Sequence, residues 1–157
     1  MADNTRVSSS THISAQPEVV YRLVSDLPRM GEFSPENVGG QWVGSASGPA
    51  KGARFKGRNV QGAKKWTVTV TVTDATEPSR FAFITNLGPK VFAEWIYEIA
   101  PADEGGCQVT ETWVDNRGPM VKRLGKVMTG IEDRATHTRS MIETTLARLK
   151  QTAEASG

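Results

Sequence analysis

Residues 66–73 read Trp66-Thr67-Val68-Thr69-Val70-Thr71-Val72-Thr73, and this stretch decides the fold. The strict alternation sends Trp66, Val68, Val70 and Val72 to one face of a β-strand and four threonines to the other. A strand half apolar and half hydroxylated belongs to an antiparallel sheet with one covered face. Working outward in both directions, the same period recurs. Gln41-Trp42-Val43 and Ala53 to Val60 precede it, with Pro49 and Gly52 marking one turn and Gln61-Gly62-Ala63 the next. After Glu77-Pro78-Ser79 come Phe81, Phe83 and Thr85 on a shared face. Past Asn86-Leu87-Gly88-Pro89 follow Ala93, Trp95, Tyr97 and Ile99. Beyond Gly105-Gly106 the set closes with Val109, Glu111, Trp113 and Asp115. Connections this short make neighbouring strands antiparallel.

The period is helical at the two flanks. Residues 6–14 read as an opening strand. Pro17-Glu18 then opens a short helix with Val20, Leu23, Val24 and Leu27 on one face, Ser14 as a possible cap and Pro28 as its stop. Met30 and Phe33 fit a second helical turn before Ser34-Pro35. After Gly118-Pro119 the residues Met120, Leu124, Val127, Met128, Ile131, Ala135, Thr138, Ile142, Leu146 and Leu149 recur at three- and four-residue steps. Read as one stripe of one long helix, they span roughly 45 Å at 1.5 Å per residue, enough to cross a whole sheet. Gly125 and Gly130 each cost such a helix about 1 kcal/mol. They are compatible with a bend, a close approach or plain tolerance. The expected fold is α+β: a curved antiparallel seven-stranded sheet gripping a long C-terminal helix, with two short helices after the first strand.

Composition bounds the function. The chain of 157 residues is 38% hydrophobic and 23% charged, one soluble-type domain over 1–157, with 1–5 and 152–157 expected as flexible ends. No apolar run reaches the roughly 18 residues of a membrane span, so no stable membrane insertion is expected. The first residues lack the apolar segment of a secretory signal. The single cysteine, Cys107, has no internal disulfide partner, and the expected compartment is the cytoplasm. His12, Cys107 and His137 have no metal-ligand spacing, and no phosphate-binding glycine loop occurs, so no metal and no cofactor is expected. Net charge is only +2. Arg54, Lys56 and Arg58, with Lys64 and Lys65 past the turn, read as a solvated basic face, and no nucleic acid is expected. The expected state is monomer or homodimer.

Several motifs, taken in order, resemble the helix-grip proteins of the START/Bet v 1-like superfamily (SRPBCC), and among them the bacterial polyketide cyclase/dehydrase-like proteins. They are Pro17-Glu18-Val19-Val20-Tyr21 through Val24-Ser25-Asp26, the Phe33-Ser34-Pro35 turn, and Gly52-Ala53-Arg54-Phe55-Lys56-Gly57-Arg58-Asn59. Trp95-Ile96-Tyr97-Glu98, Gly105-Gly106 and Val109-Thr110-Glu111-Thr112-Trp113 complete the set. The resemblance covers almost the whole chain and implies a cavity between sheet and helix. A fold does not carry an activity with it.

By alternation the cavity is lined by Phe55, Trp66, Phe83, Trp95 and Trp113, with Leu124, Met128 and Ile131 from the helix. An ordinary core has the same composition. The polar residues on that face tip the reading toward a site. Glu111 lies between Val109 and Trp113 in the inward register, where a lone carboxylate is costly and takes a raised pKa, a partner or water. It is the best candidate for a ligand acceptor or general acid/base; Arg54 or Arg58 is a possible partner, and a bulge that turns it outward is the bland alternative. Asn59, Thr85 and Tyr97 are lesser candidates, each better suited to satisfying local structure: backbone at the strand end for Asn59, a core hydroxyl bond for Thr85 and Tyr97. His137 falls about 130° from the stripe centre and is discounted as a base. Three functions compete: binding or transport of a hydrophobic small molecule (fatty-acyl, polyketide-like or isoprenoid-like), a polyketide cyclase/dehydratase-type enzyme, and a protein-interaction module.

Overall fold

The computed structural model describes residues 5–129 and 133–156. Seven strands form one antiparallel sheet in the order β1-β7-β6-β5-β4-β3-β2. They are β1 (Thr5–Ile13), β2 (Asn37–Trp42), β3 (Arg54–Gln61), β4 (Lys64–Thr76), β5 (Arg80–Leu87), β6 (Lys90–Pro101) and β7 (Cys107–Asp115). The hairpins read from the sequence account for every pairing except β1 with β7, which joins the ends of the chain order. The helices are α1 (Pro17–Ser25), a 3-10 segment over Leu27–Glu32, α2 (Pro119–Thr129) and α3 (Arg134–Ser156). This is the expected α+β helix-grip architecture.

Cross-strand register turns the alternation into rows of inward side chains. One row runs Val72, Phe83, Trp95, Trp113, Val7; the next runs Ala75, Phe81, Tyr97, Glu111, Ser9. A third runs Phe55, Val70, Thr85, Ala93. Phe81, Phe55 and Val72 are each no more than 2% exposed, so the covered face of the sheet is the core. At Gly40 a Cβ would stand 2.6 Å from the Phe55 ring, so only glycine lets β2 lie against it. Trp42 then meets the same ring edge-on at 5.4 Å.

α1 starts at Pro17, which needs no N–H donor at that position. Its cap is Gln16, with no side-chain cap bond, rather than the expected Ser14. Val20, Tyr21 and Val24 are buried against the sheet and α3. Pro28 does not stop α1, which ends at Ser25; it lies in the first turn of the 3-10 segment that buries Leu27 and Met30.

The expected single C-terminal rod is two helices. Asp133 is non-helical and caps α3: its carboxylate accepts from the Thr136 N–H at 3.1 Å and the Thr136 hydroxyl at 2.8 Å. α3 buries Thr138, Met141, Ile142, Thr145, Leu146, Leu149 and Ala153, one face at helical spacing, against β1, β7 and α1. The interruption frees α2 from the phase of α3, and its apolar residues turn outward. Residues 152–156, expected as a flexible end, are the last helical turns: Ala153 is fully buried and Glu154 accepts from the Ser14 N–H at 2.9 Å.

Candidate functional site

Between the sheet and α3 lies a cavity of about 90 Å³. β3, β4, β5, β6 and β7 supply its floor and walls. Met141, Ile142 and Thr145 of α3 form the roof, with Leu27 and Met30 of the 3-10 segment beside them. The helix does roof a hollow, and the hollow is small. It falls below the roughly 150 Å³ void that admits a benzene ring in a rigid core.

Seven of the candidate residues meet on this wall: Phe55, Asn59, Phe83, Thr85, Trp95, Tyr97 and Glu111. Five do not. Trp113 shares their face but packs behind the lining, its ring 6.4 Å from that of Trp95 and only 3% exposed. Trp66, opposite Asn59, is outside the lining; the Arg134 guanidinium covers its ring at 6.0 Å from the centroid. Leu124 and Met128 are more than half exposed on α2, so they roof nothing. A common stripe requires an unbroken helix, and the break before α3 removes it. Ile131 lies outside the described residues.

Glu111 is inward and buried, 3% exposed. Its partner is not Arg54 or Arg58, which are exposed on the opposite face of β3. The partner is Tyr97, directly across on β6, whose hydroxyl donates to Glu111 Oε2 at 2.9 Å. Glu111 Oε1 is buried with no hydrogen-bond partner. Burial pushes this carboxyl from 4.5 up to about 8, and the Tyr97 bond offsets only part of the rise. Burial, then the neighbouring Glu111, also pushes the Tyr97 hydroxyl well above its usual range. At neutral pH the pair is therefore a neutral acid and a neutral phenol. Tyr97 occupies Oε2 and leaves Oε1 without a partner, so a proton carried there would be an unused donor on the cavity lining.

A second polar group on the lining escaped the sequence reading. Glu36, 6% exposed, accepts from Arg134 at 3.3 Å through each oxygen and bonds His137 Nε2 at 2.8 Å. His137 thus does not point away from the site as the single-stripe geometry implied; it reaches a cavity-lining carboxylate. The available signal was the Arg134/His137 spacing of three, which puts two basic groups on one helix face. Asn37 and Asn59, half-buried, hold each other at 3.4 Å on the same lining. Among the described residues, no group of three His, Cys, Asp or Glu side chains is arranged to hold a metal ion, and no helix is long and apolar enough to cross a membrane.

Comparison with known proteins places this architecture. A family model described as polyketide cyclase/dehydrase and lipid transport matches residues 4–154. The solution structure of the polyketide-cyclase-like protein Cgl2372 from Corynebacterium glutamicum is 30% identical, with a TM-score of 0.67 over 99% of this chain and 95% of that one. TTHA0849 from Thermus thermophilus is 21% identical, with a TM-score of 0.66 over 98% and 99%. The major latex-like protein 151 of Panax ginseng is 9% identical yet superposes with a TM-score of 0.68 over 96% and 97%, a likeness of fold alone. Among curated proteins no sequence matches.

Proposed function

Since the chain belongs to the polyketide cyclase/dehydrase and lipid-transport family, we propose that it binds a compact apolar molecule carrying a carbonyl or other acceptor oxygen, held under α3 by the neutral Glu111 carboxyl. One observation carries this reading: a fully buried carboxyl oxygen without a partner, on a residue that lines the cavity. An unsatisfied buried donor costs about 1–3 kcal/mol, which a ligand acceptor recovers on binding. Apolar burial supplies the rest, about 25 cal/mol per Å² before ordering costs.

The cavity volume sets the size class. A single six-membered ring already needs the wall to yield a little, and a long acyl chain needs it to yield much further. Met30 and Met141 are suited to that, since an unbranched thioether changes rotamer at little cost. The test is native mass spectrometry of the delipidated chain offered small cyclic ketones and a lipid extract. Uptake of ring ketones, lost when the cavity is filled by Gly57→Leu, supports the reading. No uptake of any component by the wild-type chain overturns it.

A second reading, catalysis of the cyclase/dehydratase kind, draws on the Glu36–His137 pair. It sets a proton acceptor on the lining in addition to the acid Glu111. Turnover of a candidate polyketide that survives both Glu111→Gln and His137→Ala dismisses it.

A further inference from the structure

Apart from Val38, the large apolar side chains exposed among the described residues all lie on α2: Met120, Leu124, Val127 and Met128, at 85%, 56%, 68% and 53% exposure. Positions i, i+4, i+7 and i+8 of a helix share one arc of about 100°, the arc that ordinarily faces a core. On α2 that arc faces solvent. The helix is held from its other side, where it packs across β4 and Lys122 approaches Asp115 at 3.9 Å. Single exposed apolar residues need no explanation, but four on one face mark an interaction surface.

The charge around this face identifies its occupant. From Arg117 to Thr129 the chain carries four basic residues and no acidic one. Arg123 is exposed on the flank of the apolar arc, Lys126 is exposed further round the helix, and β4 begins with exposed Lys64 and Lys65. A second copy meeting this face about a two-fold axis would set basic rim against basic rim. An anionic bilayer answers both features: apolar side chains enter the headgroup boundary while Arg and Lys reach the lipid phosphates.

We propose that α2 is a docking helix for an anionic lipid surface, lying in the interface plane without spanning it. This goes beyond the ligand reading of the cavity and stands without it, since among the described residues none of α2 lines the cavity.

The test is co-sedimentation of the full chain with vesicles of phosphatidylcholine alone and of phosphatidylcholine with about one-third phosphatidylglycerol. The expected result is binding to the anionic vesicles, weakened by salt, and little to the neutral ones. Replacing Arg123→Gln and Lys126→Gln should weaken it about five-fold for each charge removed. Leu124→Ser with Val127→Ser should abolish the part that resists salt. All four positions are exposed, and an unchanged thermal melt confirms that the variants fold. Three outcomes each overturn the proposal: no sedimentation with anionic vesicles at low salt, binding indifferent to both variant pairs, or a wild-type dimer in solution that the serine pair dissociates.

Discussion

Replacing Glu111 by glutamine should reshape the dependence of stability on pH in a calculable way. In the folded chain the carboxyl holds its proton up to about 8, whereas an unfolded chain releases it near 4.5. Between those values the native state binds more protons than the unfolded one, so stability falls as pH rises. Below the window both states are protonated and the penalty is absent; above it the loss is complete. Each pH unit inside the window removes about 1.4 kcal/mol, on the order of 5 kcal/mol in all. That is a large share of the roughly 5–15 kcal/mol that holds a domain folded. Glutamine is neutral at every pH and keeps an acceptor for the Tyr97 hydroxyl. Urea unfolding of both chains at intervals from pH 5 to 9 isolates the term, because all other titrating groups are common to the two. The variant should match the wild type within about 1 kcal/mol near pH 5 and exceed it increasingly towards pH 8. Two curves separated by a constant offset would refute this, because Glu111 would then not titrate in that window.

Further consequences follow from the same geometry. Tyr97→Phe removes the hydrogen bond that lowers the Glu111 pKa, so the carboxyl should titrate above about 8; infrared absorption of the protonated carboxyl followed against pH reads the shift. Gly57→Ala should be tolerated, since its Cβ meets neighbours at 3.5 Å or more, while Gly57→Leu fills the cavity and eliminates ligand uptake; dye-displacement titration separates the two. Ile142→Ala, at a fully buried roof position, should cost about 2–5 kcal/mol in chemical denaturation and admit larger ligands. Asp133→Ala should cost about 1 kcal/mol and raise amide exchange in the first turn of α3.

What was legible in the sequence was the part governed by local period. Alternation within Trp66–Thr73 and its neighbours implied β3 to β7 and set Glu111 inward, because a pleated strand offers only two directions. The same alternation, applied consistently, excludes Arg54 and Arg58 as partners once Phe55 is inward. Tyr97 becomes the partner only through the register of β6 against β7, which no single strand reveals. The C-terminal reading went astray because a 100° projection assigns one phase to any run of apolar residues, broken or not. The Asp133-Arg134-Ala135-Thr136 stretch carried a capping signal for a new helix. Resolving it would have separated Leu124 and Met128 from the roof and moved attention to Met141 and Ile142. The Glu36 site was least legible, since it joins residues a hundred positions apart and depends on where α3 lands.

Binding under α3 is tested most sharply by a crystal structure of the chain with cyclohexanone, a single small ring with one acceptor oxygen. The ring should lie between Phe83 and Ile142 with its oxygen about 2.7 Å from Glu111 Oε1, as a neutral acid donating to a carbonyl requires. A cavity left empty at saturating ketone, or a ring bound with its oxygen turned away from Glu111, would contradict the assignment.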